Sequence, residues 1–152
     1  GSEMCIRDSR SSVEIIKENV FIAKSGMKEV ILPSGLKEIK TRAFSHCTGL
    51  TEIYIPNSVE TIGENVFLSK SGMTEVILPS ELKEIREEAF SHCTGLTEIY
   101  IPNSVEKIAS AAFTNSTNLM HIRIDKAPNT IEGAPWGAIS WDRAVEWLRP
   151  SE

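Results

Sequence analysis

Three groups of residues in this chain have the types that chemistry uses. His46-Cys47 and His92-Cys93 each set an imidazole beside a thiol, the ligands that zinc takes. Glu29, Glu52, Glu75 and Glu98 recur every 23 residues, carboxylates of the kind that hold calcium. Ser-x-x-Lys and Cys-His fragments carry nucleophiles near bases. The spacing argues against all three. Zinc needs clustered ligands, but each site here has one His and one Cys, and the two pairs stand 46 residues apart. Calcium needs six to eight converging oxygens, and a straight column of single carboxylates flanked by Ile or Tyr supplies too few. The nucleophile fragments recur along the chain instead of meeting in one cleft. The sequence predicts a chain that is no enzyme and has no metal site and no cofactor.

The spacing that defeats catalysis is itself the strongest signal. Phe21, Phe44, Phe67, Phe90 and Phe113 stand 23 residues apart, and Trp136 falls on the next beat. Pro33, Pro56, Pro79 and Pro102 keep the same step. Such a period belongs to solenoids, in which each coil buries its apolar face only against its neighbours. Counted from Phe as zero, position 6 is Met27, Leu50, Met73, Leu96 and Leu119. Position 9 is Val30, Ile53, Val76, Ile99 and Ile122; position 11 is Leu32, Ile55, Leu78, Ile101 and Ile124. Their alternation with polar neighbours predicts a short strand in each coil, a rung of a parallel sheet. Proline then ends the rung, because it has no N–H for the ladder. Positions 15 (Leu36, Val59, Leu82, Val105) and 18 (Ile39, Ile62, Ile85, Ile108) follow at spacings that predict a short helical or 3₁₀ return arm.

A second period lies on top. Residues 18–63 and 64–109 agree at 37 of 46 positions, so coils of two types alternate. The sequence thus predicts an α/β solenoid of about five coils over residues 13–126. Residues 127–152 are expected to cap it. Within them Ser140 is placed to N-cap a helix over 140–149, Asp142 falls in its first turn, and Arg149-Pro150 would stop it. Trp141, Val145 and Leu148 would share that helix's inner face, with Trp136 and Trp147 packing in the cap. Residues 1–12 lie off the beat and read as a disordered, non-native leader.

Charge and composition bound the partners. The formal charge is −5 with acidic and basic residues interleaved, unlike the concentrated basic face that nucleic acid requires. No apolar run reaches the roughly 18 residues of a membrane span. Cys47 and Cys93 fall two coils apart, about 10 Å at strand spacing, too far for a disulfide. They are expected to be free and buried.

The pattern Phe-x-x-Cys-x-x-Leu-x-x-Ile-x-Ile-Pro-x-x-Val-x-x-Ile, as in Phe44 to Ile62, resembles the BspA-like leucine-rich repeat family. Gly133-Ala134-Pro135-Trp136-Gly137-Ala138 is similar to the end of its repeat arrays. The resemblance spans about residues 13–138. It implies a leucine-rich-repeat module of a cell-surface or secreted microbial protein that adheres to host matrix or to another cell-surface protein. It carries over no catalytic residue.

The residues facing away from the core are then the candidate site. Position 8 reads Glu29, Glu52, Glu75, Glu98 and His121; position 10 reads Ile31, Tyr54, Ile77, Tyr100 and Arg123. Stacking makes an acidic stripe beside an apolar-aromatic one, a face suited to a basic or amphipathic protein segment. A tandem copy also copies its surface, and Ile on a rung can reflect strand propensity alone. The alternative is therefore a spacer with no ligand of its own. An open rung edge at the first coil could pair with another chain, giving an end-to-end dimer.

Overall fold

A computed structural model of the protein describes residues 3–5, 13–138 and 145–151. The rungs form as the alternation predicts. Glu29–Ile31 pairs in parallel with Glu52–Tyr54, and Glu98–Ile101 with His121–Ile124, each residue opposite its counterpart 23 later. Single parallel bridges from Tyr54 to Ile77 and from Ile77 to Tyr100 join these two groups. Val30, Ile53, Ile99 and Ile122 point inward and are buried.

The return arms are not helical. Ile15–Ile16, Glu38–Ile39, Thr61–Ile62, Glu84–Ile85 and Lys107–Ile108 make a second parallel sheet of five strands. No helix occurs among the described residues, so the fold is a β-solenoid. The physical reason lies in where the donors go. A helix needs each N–H to bond four residues back. Here Lys40 N–H donates to Ile16 in the preceding coil, Gly63 N–H to Ile39 and Arg86 N–H to Ile62. The corners also resist helix. Residues two before and two after Phe21, Phe44, Phe67 and Phe90 adopt left-handed backbone, as at Arg42 (φ 58°) and His46 (φ 57°) around Phe44, and so does Asn115 two after Phe113. A left-handed residue reverses the local winding, so helical bonding cannot propagate through it.

The corners are laddered too. Phe21 N–H donates to Ala43, Phe67 N–H to Ala89 and Phe113 N–H to Trp136. This holds the rings in register. Successive Phe centroids lie 5.3, 6.0, 5.4 and 5.8 Å apart, with ring planes within 21° of parallel. Phe44, Phe67, Phe90, Phe113 and Trp136 have no solvent exposure, whereas Phe21 at the first coil is half-buried. Trp136 thus continues the aromatic spine.

Both ends differ from the sequence reading. The expected helix over 140–149 is corrected where it is described: Val145–Trp147 is a strand pairing with Ile122–Ile124, another rung. Its first residues, 140–144, including Ser140, Trp141 and Asp142, lie outside the described residues. Trp147 meets Trp136 edge-on at 6.4 Å. The leader, expected to be disordered, contributes Glu3–Cys5 as a strand paired with Glu29–Ile31 at a step of 26.

Candidate functional site

From Glu29 to Arg123 the rungs turn positions 8 and 10 to one side. Glu29, Glu52, Glu75, Glu98 and His121 are exposed. Beside them run half-buried Ile31, then Tyr54 (64% exposed), Ile77 (67%) and Tyr100 (49%). The structure therefore brings the two predicted stripes together on one open face. Strand alternation does this: Val30 and Leu32 turn inward, so Glu29 and Ile31 must turn out.

The acidic stripe is not uniform. Arg123, also exposed, reaches back along the stripe, its Nη1 3.3 Å from Glu98 Oε2 and its Nε 3.2 Å from Glu146 Oε2. No ion pair reaches Glu29, Glu52 or Glu75 among the described residues. Glu29 and Glu52 stand directly opposite each other, an unfavourable like-charge pair. The negative field is thus concentrated on the first three rungs of the stripe and closed off at the fourth.

Two hollows mark the middle of the face, where the rung at Glu75–Ile77 is held only by the bridges of Ile77. One, of about 400 Å³, lies among Ile31, Thr51, Tyr54, Thr74 and Ile77. The other, of about 150 Å³, lies among Ile77, Glu98, Tyr100 and Arg123. Beyond Tyr100, Arg149 clamps Asp125 with two bonds of 2.8 and 3.0 Å. Arg149's hydrogen bond holds the Asp125 carboxyl below its ordinary range. Burial, followed by the Asp125 charge, pushes the Tyr100 hydroxyl up.

The His-Cys pairs point apart. Cys47 and Cys93 are buried and free, while His46 and His92 are exposed, each Nδ1 within 2.9 Å of the preceding serine hydroxyl. The thiols act as donors. Cys47 Sγ donates to the Phe21 carbonyl at 2.9 Å and Cys93 Sγ to that of Phe67 at 3.1 Å. Ser116 Oγ donates to the Phe90 carbonyl at 2.6 Å, and Lys70 Nζ to that of Phe44. From Cys47 to Ser116, position 3 thus caps the Phe carbonyl of the coil before it.

Lys70 escaped the sequence reading. It is fully buried, and its ammonium is pushed down from 10.5 to about 8 by burial, with Cys47 and Cys93 pulling part of the way back. Burial pushes the Cys93 thiol up to about 12. Reading position 3 down the coils would have found the column: Lys24, Cys47, Lys70, Cys93 and Ser116 all carry a donor.

Residues 9–134 match the BspA type leucine rich repeat region, in six copies. The chain belongs to the BspA-type leucine-rich repeat family. Solved structures agree with it. A T. pallidum leucine-rich repeat protein is 26% identical with a TM-score of 0.77, over 84% of this chain and 63% of that one. A leucine-rich repeat protein from Bacteroides ovatus is 25% identical with a TM-score of 0.67, over 85% of this chain and 41% of that one. The pneumococcal vaccine antigen PcpA shares the fold at 21% identity and a TM-score of 0.72, over 97% of this chain and 36% of its own. This BspA-type chain therefore spans less than two thirds of each. A search of curated proteins returns no match. Leucine-rich repeat proteins are generally non-catalytic, and their repeats generally serve protein–protein interaction or scaffolding.

Proposed function

We propose that this chain is a non-catalytic protein-binding module of a microbial cell-surface or secreted protein, and that it docks its partner on the rung face. One observation carries the reading: Tyr54, Ile77 and Tyr100 form an unbroken stripe of large apolar side chains left in water. Such a stripe is expensive for a monomer to expose and typical of an interface centre, where tyrosine is enriched. The acidic stripe beside it supplies a polar rim. Membership of the BspA-type family supports an adhesive role at a surface, with host matrix or another surface protein as the partner class.

The test changes Glu52, Tyr54, Glu98 and Tyr100 together, to Gln, Ser, Gln and Ser. The variant and the parent are compared on immobilised matrix proteins and on intact cells by surface plasmon resonance. Loss of capture with unchanged circular dichroism is expected. Unchanged capture by the folded variant excludes this face. If no partner is captured and only coil number matters to a full-length surface protein, the chain is a spacer.

A further inference from the structure

Resting on the docking reading above, we infer that the partner segment is a cationic amphipathic α-helix lying along the solenoid axis, across the rungs. Two observations lead there. The first is charge. Glu29, Glu52 and Glu75 present three carboxylates without an ion-pair partner among the described residues, whereas Glu98 is engaged by Arg123. The register keeps the apolar stripe alongside them: Ile31 stands opposite Tyr54, and Ile77 bridges Tyr54 and Tyr100. A partner that covers both stripes needs a row of cations next to a row of apolar side chains.

The second is pitch. Parallel rungs advance about 4.8 Å each, so the stripes repeat at about 4.8 and 9.6 Å. A helix rises about 1.5 Å per residue, so positions i, i+3 and i+7 advance about 4.5 and 10.5 Å. That is within about 1 Å of the rungs. An extended strand laid the same way repeats same-side residues every 6.6–6.8 Å and falls out of step by the second rung. Only the helix meets Glu29, Glu52 and Glu75 with successive cations while meeting Ile31, Tyr54 and Ile77 with successive apolar residues. From Ile31 to Tyr100 the stripe spans three steps, about 14 Å, or about ten residues of helix.

The stripe also sets the polarity. The helix N-terminus carries partial positive charge and belongs over Glu29. Its C-terminus, partially negative, belongs toward exposed His121 and Arg123. Cations are needed over the first three rungs and not beyond Tyr100, where Arg123 already closes on Glu98.

The experiment uses the full chain and four fluorescein-labelled peptides of about 14 residues, long enough to hold a helix with α-aminoisobutyrate. One is a Lys/Leu helix with Leu at i, i+3, i+7 and Lys beside them. The second replaces Lys by Glu. The third strictly alternates Lys and Leu, favouring a strand. The fourth repeats Lys-Pro and favours polyproline II. Fluorescence anisotropy is read at low and at physiological salt. The Lys/Leu helix should bind about ten-fold tighter than the other three, and more weakly as salt rises. Combining Glu29→Gln, Glu52→Gln and Glu75→Gln should weaken it about ten-fold, while Glu98→Gln should stay within about two-fold. Equal binding of the helix to the triple variant, confirmed as folded by circular dichroism, overturns the inference. So does binding of none of the four. A strand or polyproline probe that binds best, and is lost with Tyr54→Ser and Tyr100→Ser, overturns the helix and leaves the docking face standing.

Discussion

Raising the pH from 8 to 9 should stabilise this protein, through Lys70. Its side chain is fully buried, and burial lowers its ammonium from 10.5 to about 8. The unfolded chain keeps that proton up to about 10.5, so between about 8 and 10.5 the unfolded state binds one proton more than the folded state. The free energy of unfolding therefore rises with pH, by about 1.4 kcal/mol per unit. Cys93 has the opposite sign. Its unfolded thiol ionises near 9.0 but its folded thiol only near 12, so the unfolded state binds fewer protons across that window and stability falls. The two slopes cancel between about 9 and 10.5. The net expectation is a gain of roughly half a kcal/mol from pH 8 to 9, where Lys70 contributes about 1 kcal/mol and Cys93 takes back part of it, then a plateau, and a loss above about 10.5. Urea unfolding followed by tryptophan fluorescence at half-unit steps measures this directly. Lys70→Met should abolish the rise from pH 8 to 9. Cys93→Ser should extend it, to a total of about 3 kcal/mol by pH 10.5. A flat parent profile from 8 to 9, or the same rise in Lys70→Met, refutes the reasoning.

The packing makes further predictions. Phe67→Ala, with stacked rings on both sides, should cost about 3–5 kcal/mol, whereas Phe21→Ala at the half-buried end should cost clearly less in the same urea titrations. Gly95→Ala should lower the melting temperature sharply, because a Cβ there drives into the Ser71 carbonyl and meets Met73 O at 3.1 Å. Gly26→Ala, with open space around it, should shift the melt little. Ala23 sits at φ 58°, so Ala23→Gly should gain up to about 1 kcal/mol by relieving left-handed strain. Trp147→Ala should uncover Trp136, seen as a red shift of its emission.

Much of this architecture was legible because it repeats. The inward columns at Val30, Ile53, Ile99 and Ile122 came straight from the alternation, and the outward stripes from the same rule. The failures share a cause. Ser140 and the stripe of Trp141, Val145 and Leu148 are local helix signals, yet Val145 stands 23 residues after Ile122 and Trp147 stands 23 after Ile124. The ladder from the previous coil overrides local propensity there, as it does at Ile39 and Ile62, whose spacing reads equally as helix or as tight turn. Lys70 was illegible by type, since lysine usually belongs in water. Only its place between Cys47 and Cys93 in a column of donors explains it. Glu3–Cys5 could not be found from the period at all, because it joins out of step. On the face itself, Tyr54 and Tyr100 were readable as exposed, but the closure of Arg123 onto Glu98 depends on side-chain reach across coils.

The donor column under the phenylalanines also constrains how such a chain can lengthen. Buried Lys70 has sulfur above and below it. Deleting the Cys47 coil would replace the thiol beside Lys70 with the amine of Lys24, which is exposed at the first coil, so a like charge would stand where a neutral donor stands now. Growth or loss by two coils preserves the amine–thiol alternation and avoids it. The 46-residue duplication thus lengthens the array while keeping a thiol on either side of the buried amine.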